Sequence, residues 1–265
     1  MSCSKASAGK RLRGPQDNNA EPSASNAMPI PILMYHQIDI PPVRGTPLRG
    51  LVVHPKDFHN QMRWLKWSGY QGLSMRDLEP FLAGKKQGRV FGITLDDGYK
   101  NNFDNALPIL VKHGFTATCY GVSSQIGGTN AWDAGLVAEK PLMGIQEWAG
   151  WLKSGMEIGG HTRTHADLTA LPDDAAREEI NDCKVDFERA LDCEVRHFCY
   201  PFGRFAPHHS DMVREAGYLT ATTTRRGRAQ SNSLAMELPR VMVARATYLL
   251  QLFVKMASAY EDKRG

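Results

Sequence analysis

The sequence predicts an α/β chain folded as one domain, either a barrel of parallel strands or a strongly curved parallel sheet. Three observations carry that expectation. Apolar runs of strand length alternate with segments of helical spacing, about seven times along the chain. The runs are apolar through their length, as in strands covered on both faces, and do not alternate with polar residues. The chain has 265 residues, 42% hydrophobic and 23% charged, and single α/β barrels often reach this length.

Residues 1–28, MSCSKASAGKRLRGPQDNNAEPSASNAM, are rich in Ser, Asn, Ala and Pro. They are expected to form a disordered tail, with the folded domain spanning 29–265. PILMYH (31–36) reads as a first strand ending in a polar residue, His36. In HPKDFHNQMRWLKWSG (54–69), Phe58, Met62 and Leu65 share one helical face and Gly69 supplies a stop. RVFGITLDD (89–97) is a buried strand ending in two acids. NNFDNALPILVKHG (101–114) has helical spacing at Phe103, Leu107, Leu110 and Val111, a terminal Gly114, and Pro108 as a source of a kink. FTATCYGV (115–122) is a strand, IQEWAGWLKSG (145–155) a helix and MEIGGH (156–161) a strand. The clearest helix is PDDAAREEINDCKVDFERALD (172–192), with Asp173 or Asp174 as its cap and Ile180, Cys183, Phe187 and Leu191 as its inner stripe. VRHFCYPFG (195–203) and YLTATTT (218–224) are strands flanking a helix in HSDMVREAG (209–217). LPRVMV (238–243) is the last strand, and TYLLQLFVKMASAYE (247–261) the last helix, with Leu249, Phe253 and Met256 at helical spacing.

The net charge of +4 is small, and neither phosphate-binding nor nucleic-acid signatures accompany it, so a nucleic-acid partner is not expected. The tail cations Lys10, Arg11 and Arg13 read as a solvated surface. Five cysteines, an odd number without a Cys-x-x-Cys pair, suit reduced thiols. With neither a secretory leader nor a membrane-spanning stretch legible, the expected location is the cytoplasm.

In barrels of parallel strands the chemistry sits at the carboxyl ends of the strands. His36, the doublet Asp96–Asp97, His161 and the YPFG turn all fall at such ends. Two neighbouring acids closing an apolar strand are costly unless they cap the strand end or something there needs negative charge. EIGGHTRTHADL (157–168) adds His161 and His165, which can converge on one metal ion. Two imidazoles and one carboxylate make a facial set that leaves positions open for water and substrate. Adjacent aspartates point different ways, so one can bind metal while the other takes a proton from water.

The motifs TLDDGY, HTRTH and YPFG resemble those of the polysaccharide deacetylases, carbohydrate esterase family 4 with its NodB homology domain. The resemblance covers roughly residues 30–245, and PILMYHQI is similar to the start of the branch that includes exopolysaccharide deacetylases. It implies an irregular (β/α)7-type barrel that removes acetyl from an N-acetylated sugar. The substrate would be a GlcNAc-type oligo- or polysaccharide or a lipid-linked precursor. It implies Asp96 as general base, and Asp97, His161 and His165 around a divalent metal, zinc first with cobalt or nickel as alternatives. The backbone N–H of Phe202 would help bind the oxyanion. Two positions depart from the family pattern. Cys199 stands where many members carry an arginine that pairs with the catalytic aspartate, although the exopolysaccharide branch often lacks it; a neutral thiol leaves the pKa of Asp96 open. The usual late histidine acid is also missing, so the proton for the leaving amine is assigned to Asp96 or to His36.

Around these residues, Tyr200, Pro201, Trp132 and Asp133 are candidate substrate contacts, Trp132 either as a ring on which a pyranose could stack or as a buried anchor. His197, His208 and His209 are expected to be structural or exposed, with His208 and His209 within possible reach of sugar. Trp64, Trp67, Trp148 and Trp151 are expected to pack. A hydrolase for O-acetyl esters or cyclic amides, and a non-catalytic carbohydrate-binding relative, are the alternative functions; Asp96 speaks against the last, since binding alone does not need it.

Overall fold

A computed structural model describes residue 1 and residues 28–265. The expected tail, with Cys3, Lys10, Arg11 and Arg13, therefore lies outside the described residues. From there the chain forms β1 (Ile32–Tyr35), β2 (Gln37–Ile38), β3 (Val52–Val53), α1 (Pro55–Trp67), β4 (Gln71–Leu73), α2 (Met75–Leu82), β5 (Val90–Leu95) and α3 (Leu107–His113). It continues through β6 (Thr118–Gly121), α4 (Ile145–Lys153), β7 (Glu157–Gly160), α5 (Asp173–Leu191), β8 (His197–Cys199), α6 (Pro207–Glu215), β9 (Thr220–Arg226), β10 (Leu238–Met242) and α7 (Leu249–Ala257).

The strands pair in the order β1-β10-β9-β8-β7-β6-β5, and β1 pairs with β5 as well, all in parallel. This closes a seven-stranded barrel, and its seven strands are the seven apolar runs. β4 adds to the first half of β5, pairing Leu73 with Gly92, on the edge that β6 takes over at Thr94. β2 and β3 form a separate parallel pair above β1.

Period-two alternation sorts the barrel residues into two cores. Leu33, Tyr35, Cys119, Phe198 and Val241 pack outward with the helices, where Phe58, Trp151, Ile180 and Phe187 meet them. Ile32, Tyr120, Cys199 and Leu238 form a smaller inner cluster with Met75 and Leu78 of α2. α2 closes the end of the barrel opposite the strand carboxyl ends. Its first amides, of Met75 and Arg76, donate to Thr118 Oγ1 and Glu157 Oε2 on the opening residues of β6 and β7. The Gly159–Gly160 pair lets β7 pass between two rings: a Cβ on Gly159 would lie 2.3 Å from Tyr120, and one on Gly160 2.5 Å from the Tyr218 hydroxyl.

Local details differ from expectation in four places. Asp173 and Asp174 lie in the first turn of α5, and Pro172 occupies the cap position without a side-chain hydrogen bond. The acids there still face the positive end of the helix. Pro108, without an N–H to donate, follows a π-helical stretch, Asn102–Ala106, so the disturbance is a widened turn upstream. In α7 the inward residues are Leu252, Lys255 and Met256, while Leu249 and Phe253 are exposed. Phe253 still touches α1 at the rim of the contact, where Trp64 meets it edge-on at 5.6 Å. Trp148 and Trp151 are buried, whereas Trp67 is 83% exposed and packs little.

Candidate active site

The carboxyl ends of β1, β5, β7 and β8 meet at a cavity of about 330 Å³, lined by His36, Asp96, Asp97, His161, His165, Trp132 and Phe202 among others. Asp96 continues β5 in extended register, its N–H donating to Tyr35 O at 2.9 Å. The chain then turns sharply through Asp97 (φ 76°) and Gly98 (φ 75°). That left-handed step, which aspartate tolerates better than most side chains, is what brings both acids of the doublet into the site. Their partners differ, as the strand geometry required.

Asp97 Oδ1 lies 3.4 Å from His161 Nε2 and 3.4 Å from His165 Nε2. One donor atom from each of these buried residues falls within 4.8 Å of the others. His161 Nδ1 donates to Cys199 O at 2.7 Å, which turns its Nε2 toward Asp97. Although burial works against the imidazolium, Cys199 and Asp97 outweigh it and hold the His161 pKa well above its ordinary value. His165 goes the other way, burial prevailing over Asp97. Burial likewise opposes ionisation of Asp97, yet the two imidazoles keep its carboxyl well below the usual range. The arrangement draws positive charge to one point between three donors. A carboxylate and two imidazoles there suit a divalent ion of the zinc type, and the residues fit such a group. The four-residue spacing of the histidines is made by a loop: Thr162 (φ 61°) and His165 (φ 65°) both take left-handed backbone.

Asp96 faces the other side. Arg240 donates through Nη1 to its Oδ1 at 2.7 Å and through Nη2 to its Oδ2 at 2.8 Å. The guanidinium is buried and fully occupied: Nε donates to Thr223 O at 2.8 Å, Nη1 also to Thr94 Oγ1 at 3.1 Å, and Nη2 contacts Cys199 Sγ at 3.2 Å. Burial pushes the Asp96 carboxyl up, but Arg240, with His36 and His161, more than offsets it, and the pKa ends below its ordinary value. The open question about Cys199 is thereby resolved: the cation for Asp96 comes from β10. A lone arginine in the apolar run LPRVMV was the available signal, because a buried guanidinium demands a carboxylate partner.

The remaining expected residues are distributed as follows. His36 Nε2 stands 3.9 Å from Asp96 Oδ2 at the edge of the cavity. Phe202 (φ 58°, ψ 2°) holds the YPFG turn in left-handed backbone, its ring half exposed and edge-on to His165 at 4.7 Å. A Cβ on the following Gly203 would collide with Thr224 at 1.9 Å, so the turn requires glycine. Tyr200 is buried, its hydroxyl donating to Met236 O at 3.0 Å, and Pro201 is buried behind it. Trp132 and Asp133 line the cavity, Trp132 stacked on His165 with ring centres 4.3 Å apart. His208 and His209 lie on α6 away from the cavity; His209 Nδ1 accepts from Ala206 N at 2.9 Å and caps that helix. His197 is buried near the opposite end of the barrel, 2.8 Å from Thr220 Oγ1. Beyond Arg240, which lies behind Asp96, the cavity wall includes residues that were not foreseen, among them Ile40, Leu48, Leu51, Tyr99 and Lys140.

The family model described as polysaccharide deacetylase matches residues 83–221, about half of the chain and the stretch that carries Asp96, Asp97, His161 and His165. The chain belongs to the polysaccharide deacetylase family. The deacetylase is 30% identical over 217 residues to YxkH of Bacillus subtilis (strain 168), a protein assigned by name to the same family, covering 81% of this chain and 71% of the relative. It is 21% identical over 229 residues to the poly-beta-1,6-N-acetyl-D-glucosamine N-deacetylase of Staphylococcus epidermidis, covering 82% and 76%. Among solved structures, the Streptococcus pyogenes deacetylase PplD in complex with acetate superposes with a TM-score of 0.77 at 24% identity, over 87% of this chain and 99% of that one, a likeness of fold. Family and fold together make this deacetylase a hydrolase on a (β/α)7 barrel.

Proposed function

We propose that the deacetylase removes N-acetyl groups from a GlcNAc-type oligo- or polysaccharide, or from a lipid-linked precursor of one. One observation carries the reading: an ionised aspartate locked by a buried arginine stands beside an Asp–His–His donor set in a single cavity. Relatives named for poly-beta-1,6-N-acetyl-D-glucosamine support the sugar class and a role in exopolysaccharide formation.

Asp97, His161 and His165 would hold the divalent ion, zinc by donor type. Bound there, such an ion supplies Lewis acidity for the acyl oxygen and for water. Asp96, kept ionised at neutral pH, accepts the proton of the attacking water, and Arg240 fixes the direction of its lone pairs. The Phe202 N–H, presented by the turned YPFG backbone, is assigned to the oxyanion. Water oxygen bonds to the acetyl carbon, the C–N bond breaks, and acetate leaves with a free amine. That amine takes its proton from Asp96 or from His36. Tyr200 and Pro201 would act as the underside of the turn, and Trp132 and Asp133 as cavity wall. The four described cysteines are all free thiols, and a cytoplasmic location is part of the proposal. No helix of the described residues is long and apolar enough to cross a membrane.

The test is acetate release from N-acetylglucosamine oligomers with zinc or cobalt added. Equal amounts of acetate and new amine uphold the proposal. Turnover confined to O-acetyl sugars or cyclic amides would move the substrate class, and binding without turnover would remove the catalytic reading.

A further inference from the structure

The two histidines of the donor set are held in unlike ways. His161 has the usual outer support, a carbonyl acceptor on Nδ1 at 2.7 Å. His165 Nδ1 is buried and has no hydrogen-bond partner among the described residues. Its backbone is also in the left-handed region, φ 65°, a conformation that persists only where the surroundings impose it. Rings do the imposing. Trp132 lies flat on the His165 imidazole, centres 4.3 Å apart and planes 18° from parallel. Phe202 and His161 meet the same ring edge-on at 4.7 and 4.9 Å.

Trp132 is itself held by a braced loop. Gly127 N donates to Met143 O at 3.0 Å, Leu142 N to Gly128 O at 2.9 Å, and Lys140 N to Asn130 Oδ1 at 2.7 Å. Asn130 is 1% exposed and also ties Asp133 through Nδ2 at 3.0 Å, so the indole is fixed on both sides of its own position. A loop fastened in this way can set the angle of whatever its ring rests on.

We propose that Trp132 is a positioning residue for His165, doing by stacking what the Cys199 carbonyl does for His161 by hydrogen bonding. The inference rests on the reading of Asp97, His161 and His165 as metal ligands. The indole face against His165 is then unavailable to a pyranose. Trp132 fixes one of three donors, and its removal acts on metal affinity before any sugar is present.

The experiment strips metal from the whole protein with a chelator and titrates zinc back against a chromophoric competitor, without carbohydrate. Trp132→Ala is expected to weaken zinc binding about 10- to 100-fold, the range seen when an outer support of a ligand is lost. Trp132→Phe, which keeps a flat ring, is expected to recover most of that loss. A role confined to sugar stacking would leave both constants at the wild-type value, and that result overturns the inference. Should Trp132→Ala fail to fold, cobalt quenching of intrinsic fluorescence in wild type and Trp132→Phe gives a second reading. A quenched component present only in the wild type upholds the stacking; identical fractional quenching overturns it. Wild-type protein that binds no zinc at all would instead remove the metal reading itself, and this inference with it.

Discussion

Arg240→Met is the sharpest perturbation of the site, because it deletes one side of a buried ion pair at nearly constant volume. Both guanidinium nitrogens that face Asp96 are within 2.8 Å of it, and neither residue has appreciable solvent contact. Breaking such a pair from one side leaves an uncompensated buried carboxylate and costs about 3–5 kcal/mol. Domains of this kind are stable by about 5–15 kcal/mol in total, so the variant should fold but with a large fraction of its margin gone. The sign in pH follows from the direction of the shift. A carboxyl depressed by its partner adds stability above its unfolded value near 3.8, and that stability is lost as pH falls through the depressed value. Without Arg240, burial is opposed only by His36 and His161, and the Asp96 carboxyl rises. The base is then protonated over part of the working range, so the acid limb of the rate profile moves to higher pH. Chemical denaturation at pH 7 and a pH–rate profile on N-acetylglucosamine oligomers with zinc measure both effects. Asp96→Asn/Arg240→Met, which removes both charges, should regain much of the lost stability but none of the activity. If Arg240→Met keeps its denaturation midpoint and its acid limb, the assignment of Arg240 as the cation that holds Asp96 is wrong.

Three further outcomes are expected. Asp96→Asn should lower turnover about 10²- to 10⁴-fold while zinc affinity, read by competition titration, stays near wild type. Chelator treatment should abolish activity, zinc or cobalt should restore it, and His161→Ala should block the restoration, with bound metal counted by elemental analysis. At the far end of the barrel, burial raises the Glu157 carboxyl from 4.5 to about 7, while burial drives His197, 3.5 Å away, down to about 3. The native state therefore keeps a proton on Glu157 that the unfolded chain gives up. That contribution is fully present below about pH 4.5 and is lost as pH rises through about 7, to about 3 kcal/mol. The depressed His197 works in the opposite sense below about 6.5, so the test is the difference between proteins: Glu157→Gln should gain stability over wild type as pH rises from 4.5 to 8, read from the denaturation midpoints of both at each end.

The seven barrel strands were legible because each is a short run of mainly apolar or β-branched residues set off from its neighbours, even where it carries Thr and Arg as β9 does. The elements that were not legible lack such a signal. β2 and β3 have two residues each, β4 has three, and α2 carries Pro80 within MRDLEPFL. Their formation depends on what they meet, as when the α2 amides reach Thr118 and Glu157. The outward face of α7 was misread for a related reason: with apolar residues nearly all round, periodicity does not say which side α1 will cover. At the site, the doublet and the histidines could be read because acids and imidazoles at strand ends are chemically conspicuous. Arg240 could not be placed, since its partner is 144 positions away in sequence and only barrel closure brings β10 within reach of β5.

Cys199 and Arg240 make sense only together. Asp96 sits at the end of β5, and a guanidinium can reach it from β8 or from β10, because both strands face the same narrow interior. The interior holds one such group. Arg240 fills it, with Thr94, Thr223 and Asp96 taking its donors and the Cys199 sulfur 3.2 Å from Nη2. A second arginine at position 199 would set two cations against one carboxylate in a space closed by Tyr120, whose ring lies 6.0 Å from the guanidinium carbon. A small, weakly polar thiol is compatible with the arginine arriving from the other strand. The cysteine thus does not leave the base without support. Its backbone carbonyl, fixed by the same strand end, meanwhile orients His161 on the opposite side of the cavity.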